Sequence, residues 1–164
     1  MESPVEERMS SNAYDRNLAF QAAKAGLRMS ERMAENWLKT GLPDPLPTVC
    51  PTTATPTGLY VTPPAPANCT PLWEGPAPGR KDSFWHDANN DKILTDAGAD
   101  GIAFSSAQLS LAPFYIVELI ATNALCGPAD PRSAKRCRRF RVTASGKTDD
   151  RRAQVILQSI YATE

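Results

Sequence analysis

A chain of 164 residues is long enough for one domain with a modest core, since chains of about 150 residues bury roughly two-thirds of their unfolded surface. Its 18 basic and 18 acidic side chains cancel, which excludes a global field drawing it to nucleic acid or to a membrane surface. No stretch reaches the roughly 18 apolar residues of a membrane helix, and Met1 to Ser10 does not read as a secretory signal.

From Pro4 to Lys39 no proline interrupts a run rich in Ala, Leu, Met, Arg, Glu and Lys, all good helix formers. The expectation is one helix over residues 1–40. At about 35 residues and 1.5 Å per residue it would span roughly 50 Å, far beyond the usual 10–14 residues, so it is expected to begin upstream of Met1. Its apolar positions fall in two adjoining stripes. One holds Leu18, Ala22, Ala25, Met29, Met33 and Trp37; the other holds Phe20, Ala23, Leu27, Ala34 and Leu38. So wide an apolar arc suits a helix packed on its own domain along one side and on a partner along another, the plain alternative being a helix sunk in a single core. Gly26, mid-helix, costs about 1 kcal/mol relative to Ala, which close packing would offset.

Gly41 and the "LPDPLP" that follows stop the helix. Residues 41–111 read as loop, because eleven of the fifteen prolines lie between Leu42 and Gly79 and leave no room for regular structure. That region holds Cys50 and Cys69; Cys126 and Cys137 come later. The spacings fit neither the C-x(2–4)-C of structural zinc nor the C-x-x-C of redox catalysts. Two disulfides remain. Of the three pairings, Cys50 with Cys69 and Cys126 with Cys137 closes the shortest loops, although sequence does not choose among them. Oxidation places the chain in a periplasm or outside the cell.

Within "FWHDANND" the single histidine, His86, has no nucleophile in a recognised arrangement around it, and no phosphate-binding or hydrolase motif occurs anywhere. The chain is therefore expected to be no enzyme. Asp87, Asn89 and Asp91, at alternate positions, can turn three oxygens towards one calcium, as at the start of an EF-hand loop. The pattern then fails, with Lys92 where the turn needs glycine and Gly98 where the bidentate glutamate belongs. An Asx-rich turn is the plainer reading. No cofactor is expected, and calcium is the one ion the spacing admits.

Three strands follow in residues 112–164: Ala112 to Thr122, Arg138 to Ser145 and Arg152 to Thr163. In the second, Phe140, Val142 and Ala144 point one way and Arg139, Arg141 and Thr143 the other. A single α+β domain results, a long helix lying across one face of an antiparallel meander. The basic group Arg132, Lys135, Arg136, Arg138, Arg139 and Arg141 lies in and beside the Cys126 to Cys137 loop. It reads as a solvated face or a protein contact, Arg132, Lys135 and Arg136 being the candidates for touching a partner. Without a recognition helix or stacking platform, nucleic acid is not expected.

The stretch from Glu7 to Arg28, with Glu7-Arg8-Met9, Asn12, Asp15-Arg16 and Ala19-Phe20-Gln21-Ala22-Ala23, resembles the segment just after the membrane-embedded helix of PilX-type minor pilins of bacterial type IV pili. "PFYIVEL" (Pro113 to Leu119), "RVTASG" (Arg141 to Gly146) and "VILQSIY" (Val155 to Tyr161) agree with the same family. The resemblance implies a pilin-like fold, with a long helix on an antiparallel sheet and a disulfide tying the C-terminal region. It also implies a non-catalytic subunit that joins other minor pilins to prime pilus assembly near the tip. The implied partners are those pilins, the major pilin and a tip adhesin or assembly factor. Its implied place is the periplasmic face of the inner membrane, then the pilus. The membrane is met only through a preceding hydrophobic helix that these residues do not include. Leu18, Phe20, Leu27, Met29 and Met33 are the candidates on the helix for packing against partner subunits, with those that face the partner left open. The readings that compete are a calcium-stabilised surface adhesion module and a type II secretion pseudopilin.

Overall fold

The computed structural model describes residues 4–39, 59–61, 92–93, 113–126, 135–147 and 153–163, with side chains described for all of these except 37–39 and 92–93. Helix α1 runs Pro4–Lys39. Residues 4–14 are exposed on every side, and burial begins at Asp15. The first three turns thus extend past the sheet, and the remainder docks on it.

The sheet holds β1 (Leu59–Val61), β2 (Lys92–Ile93), β3 (Phe114–Leu125), β4 (Arg136–Lys147) and β5 (Gln154–Thr163). Strands β3, β4 and β5 form the expected antiparallel meander, with Val117 opposite Val142 and Val142 opposite Ser159. The outer edge of β3 differs from expectation. There β1 pairs in parallel, Leu59 beside Val117 and Val61 beside Leu119, while β2 pairs antiparallel with Phe114 and Tyr115. The sheet is therefore mixed, and the region 41–111 read as loop does contribute two short strands, one of them in its proline-rich part. Leu59, Tyr60 and Val61 lie between prolines and carry side chains suited to a pleated, buried surface.

On the helix-facing side, Leu59, Val61, Tyr115, Val117, Leu119, Phe140, Val142 and Ala144 form the core with Met29 and Ala34 of α1. Leu27, Met33 and Tyr161 pack on its margin. The helix approaches the sheet closest where both are made of small residues. Ala19, Ala22 and Ala23 are fully or almost fully buried, and a Cβ added at Gly146 of β4 would lie 2.1 Å from the Ala19 carbonyl oxygen and 2.5 Å from the Ala23 nitrogen. One turn on, a Cβ at Gly26 would lie 3.0 Å from that of Ala144. Close packing therefore does offset the helix cost of Gly26. Further along, Met29 and Ala34 enter the core and Met33 packs against it.

Cys126 and Cys137 are bonded, 5.0 Å apart at Cα, with the Cys126 amide donating to the Lys135 carbonyl at 3.2 Å. The bond closes the loop between β3 and β4 and joins residues 11 apart in sequence. Cys50 and Cys69 lie outside the described residues. Replacing Cys126 and Cys137 together by alanine is expected to cost about 3 kcal/mol, the entropy returned to an unfolded chain no longer closed at that loop. Urea unfolding of the native and doubly substituted chains measures it, and equal midpoints would refute it.

Candidate functional site

Among the described residues, the candidate surfaces are the helix, the sheet margin and the basic group. Among the helix candidates, Met29 is only 8% exposed and belongs to the core, which corrects its placement as a partner contact. Leu27 and Met33 are half-buried against that core, and Leu18 is half-buried. Only Phe20 of the five is exposed, at 44%. The two stripes merge because Ala22 from one and Ala23 from the other both face the strand. Trp37 and Leu38 have side chains outside the described residues.

Sequence reasoning missed Val5, Met9 and Tyr14, each more than half exposed. Val5, Met9 and Phe20 fall within about 60° of one another at 100° per residue, a strip beside the buried face. The signal was present as the four-residue step from Val5 to Met9.

Towards the C-terminal end, the helix is tied to β5 by two carboxylates. Ser159 Oγ donates to Glu31 Oε1 at 3.3 Å, and the Tyr161 hydroxyl donates to Glu35 Oε1. Partial burial, then the hydrogen bond to Glu35, then the charges of Glu35 and Glu31 raise the Tyr161 pKa from 10.0 to about 12. A folded-state pKa above the unfolded one gives stability that is complete below pH 10 and is lost as pH rises towards 12. Tyr161→Phe is expected to flatten the alkaline fall in stability over that window. Thermal melting from neutral pH upward tests this, and an unchanged alkaline profile would refute it.

The basic group is less available than its sequence suggested. Arg141 places Nε and one terminal nitrogen 2.7 and 2.8 Å from the two carboxylate oxygens of Glu118, its register partner on β3. Glu118 is fully buried, and the Arg141 side chain is 17% exposed. Arg139 donates to the Leu125 carbonyl at 2.7 Å and Arg136 to that of Asn123 at 3.3 Å. The Asn123 carbonyl lies where the β3–β4 register slips, between Ala121 and Ala124, and the Leu125 carbonyl lies just past it, so these guanidinium groups take up acceptors at and beside an irregular stretch of ladder. The reading of Arg139 and Arg141 as a solvated face is thereby corrected. Lys135 and Arg136 are exposed; Arg132 lies outside the described residues.

Asp87, Asn89, Asp91 and His86 also lie outside the described residues. Among the described ones, no three His, Cys, Asp or Glu side chains gather as metal ligands, and no helix is long and apolar enough to cross a membrane.

A family model described as the C-terminal region of the type IV pilus assembly protein PilX matches residues 39–163. The chain belongs to the PilX family. No curated protein and no solved structure matches it. The PilX match starts at Lys39, the last residue of α1, and so takes in every strand and the Cys126–Cys137 bond. Membership of PilX makes this a minor pilin concerned with type IV pilus assembly and associates it with the cell envelope and the pilus. Nearly all of the helix precedes the matched span, and its part in a pilin-like fold is carried by its docking on β4.

Proposed function

We propose that this PilX-family chain is a non-catalytic minor pilin that joins other minor pilins in a complex priming assembly at the pilus tip. Its partners on this reading are those pilins, the major pilin and a tip adhesin or assembly factor. It waits at the periplasmic face of the inner membrane and ends in the fibre.

The observation that supports the reading is the division of α1. From Asp15 onward one face is sealed onto the sheet by small residues, while Val5, Met9 and Phe20 stay exposed along the adjoining strip. Apolar side chains held on a projecting, well-anchored helix suit packing against neighbouring helices. Isothermal titration of the chain with each minor-pilin ectodomain from the same cell tests the proposal. Binding to at least one, weakened by Phe20→Ala, is expected. Binding to none would overturn it.

A further inference from the structure

Strand β5 stands at one side of the sheet: it pairs with β4, and among the described residues no strand pairs with its other edge. Every other residue of such a strand turns its N–H and C=O away from the sheet, which makes the edge a template for a further strand. Natural edges are commonly blunted by lysine, proline, a bulge or shortness. None of these protects β5. It is ten residues long, carries no charged residue and no proline from Gln154 to Thr163, and keeps its register with β4 without a shift along its whole length. On the other side of the sheet β3 carries only β1 and β2, three and two residues long.

Both faces of β5 are pinned. On the helix side Ser159 and Tyr161 donate to Glu31 and Glu35, and on the opposite side Gln154 and Gln158 donate to the Ser145 and Thr143 hydroxyls of β4. A strand held in this way is already shaped for pairing. The side away from the helix also presents Ile156, half-buried, and Ile160, 57% exposed. On that side the series Ile156, Gln158, Ile160 reads the same in both directions. Laid antiparallel against itself about Gln158, it sets Ile156 opposite Ile160 twice and Gln158 opposite Gln158. Moving the axis to Leu157 or Ser159 would set isoleucine opposite glutamine. With no charge on the strand, no like-charge pair opposes the match.

We infer that β5 pairs antiparallel with β5 of a second copy of this chain, about a two-fold axis through Gln158. The two sheets then run on as one, and the outward N–H and C=O groups of residues 154–162 find partners. The contact is isologous and closes on itself, so association stops at the dimer. An axis normal to the sheet keeps both helices on one face. Because α1 lies chiefly over β4, they stand about three strand spacings apart, roughly 14 Å, and do not collide. The inference goes beyond the functional proposal, which is supported by the exposed strip of α1, and does not depend on it.

Sedimentation equilibrium of the full 164-residue chain tests it. A monomer–dimer equilibrium is expected, and salt should change it little because no charges meet across the axis. Ile160→Lys should raise the dissociation constant about tenfold or more, since it places a charge on the paired edge. Circular dichroism should show that variant folded, because the Ile160 side chain is largely exposed. A short bismaleimide should join two copies carrying Gln158→Cys, which face each other at the axis. It should not join copies carrying Gln154→Cys, which lie about 27 Å apart along the strands. A chain that stays monomeric at millimolar concentration, a dimer that Ile160→Lys leaves intact, or equal cross-linking at the two positions overturns the inference. Pairing of this edge with a strand of another minor pilin, without self-association, would overturn the second copy as its occupant. Binding of other minor pilins by a monomeric chain through Phe20 would overturn self-pairing alone; a dimer that binds none of them would overturn the functional proposal alone.

Discussion

Arg141→Ala is expected to destabilise the fold by about 3–5 kcal/mol, because it takes the bidentate guanidinium away from the fully buried Glu118 carboxylate. The pair is bidentate, at 2.7 and 2.8 Å, and links β3 to β4 at directly opposed positions. Arg141→Lys should recover only part of the loss, since an ammonium cannot reproduce the planar fork. Replacing both partners by methionine should cost much less than Arg141→Ala, because an uncompensated charge is dearer to bury than two apolar side chains. Urea unfolding of the three variants gives the comparison. An Arg141→Ala midpoint close to that of the native chain would show that the Glu118 carboxylate does not depend on Arg141.

Gly146→Ala is expected to cost about 3 kcal/mol or more, the upper range for overpacking, because the added methyl meets backbone instead of a movable side-chain tip. Its Cβ would lie 2.1 Å from the Ala19 carbonyl oxygen, so α1 must lift from β4 or the strand must bend. Gly26→Ala makes the informative contrast. There the nearest atom is the Ala144 Cβ at 3.0 Å, and the helix gains about 1 kcal/mol from losing a glycine, so the net change should stay within about 1 kcal/mol. Thermal melting separates the two. Equal effects at Gly146 and Gly26 would contradict the close approach at β4.

The helix was legible because an unbroken run of helix formers between Pro4 and Lys39 leaves little else for the chain to do. So were β3, β4 and β5, whose alternation put Phe140, Val142 and Ala144 on one face. Other features depend on pairings distant in sequence. The strand β1 is three residues long and finds its place by parallel pairing with Val117 to Leu119, which no local pattern announces. Glu118 sits inside the apolar run "FYIVELIA" and looks like an exposed position until the register sets Arg141 beside it. The helix face was misjudged at Met29 because large apolar residues drew the stripes, whereas the closest contact is made by Ala19, Ala22, Ala23 and Gly26. A cluster of small residues on one side of a long helix is the sign that was available.

On the proposed reading, this chain serves pilus assembly through a helix whose docked face fixes the geometry of its exposed one. Electron microscopy of surface pili in the cell that carries this gene tests it most directly, after deletion and after complementation with the native or Gly146→Ala sequence. The account predicts that deletion removes most pili, that the native sequence restores them, and that Gly146→Ala does not. Normal piliation after deletion would contradict it.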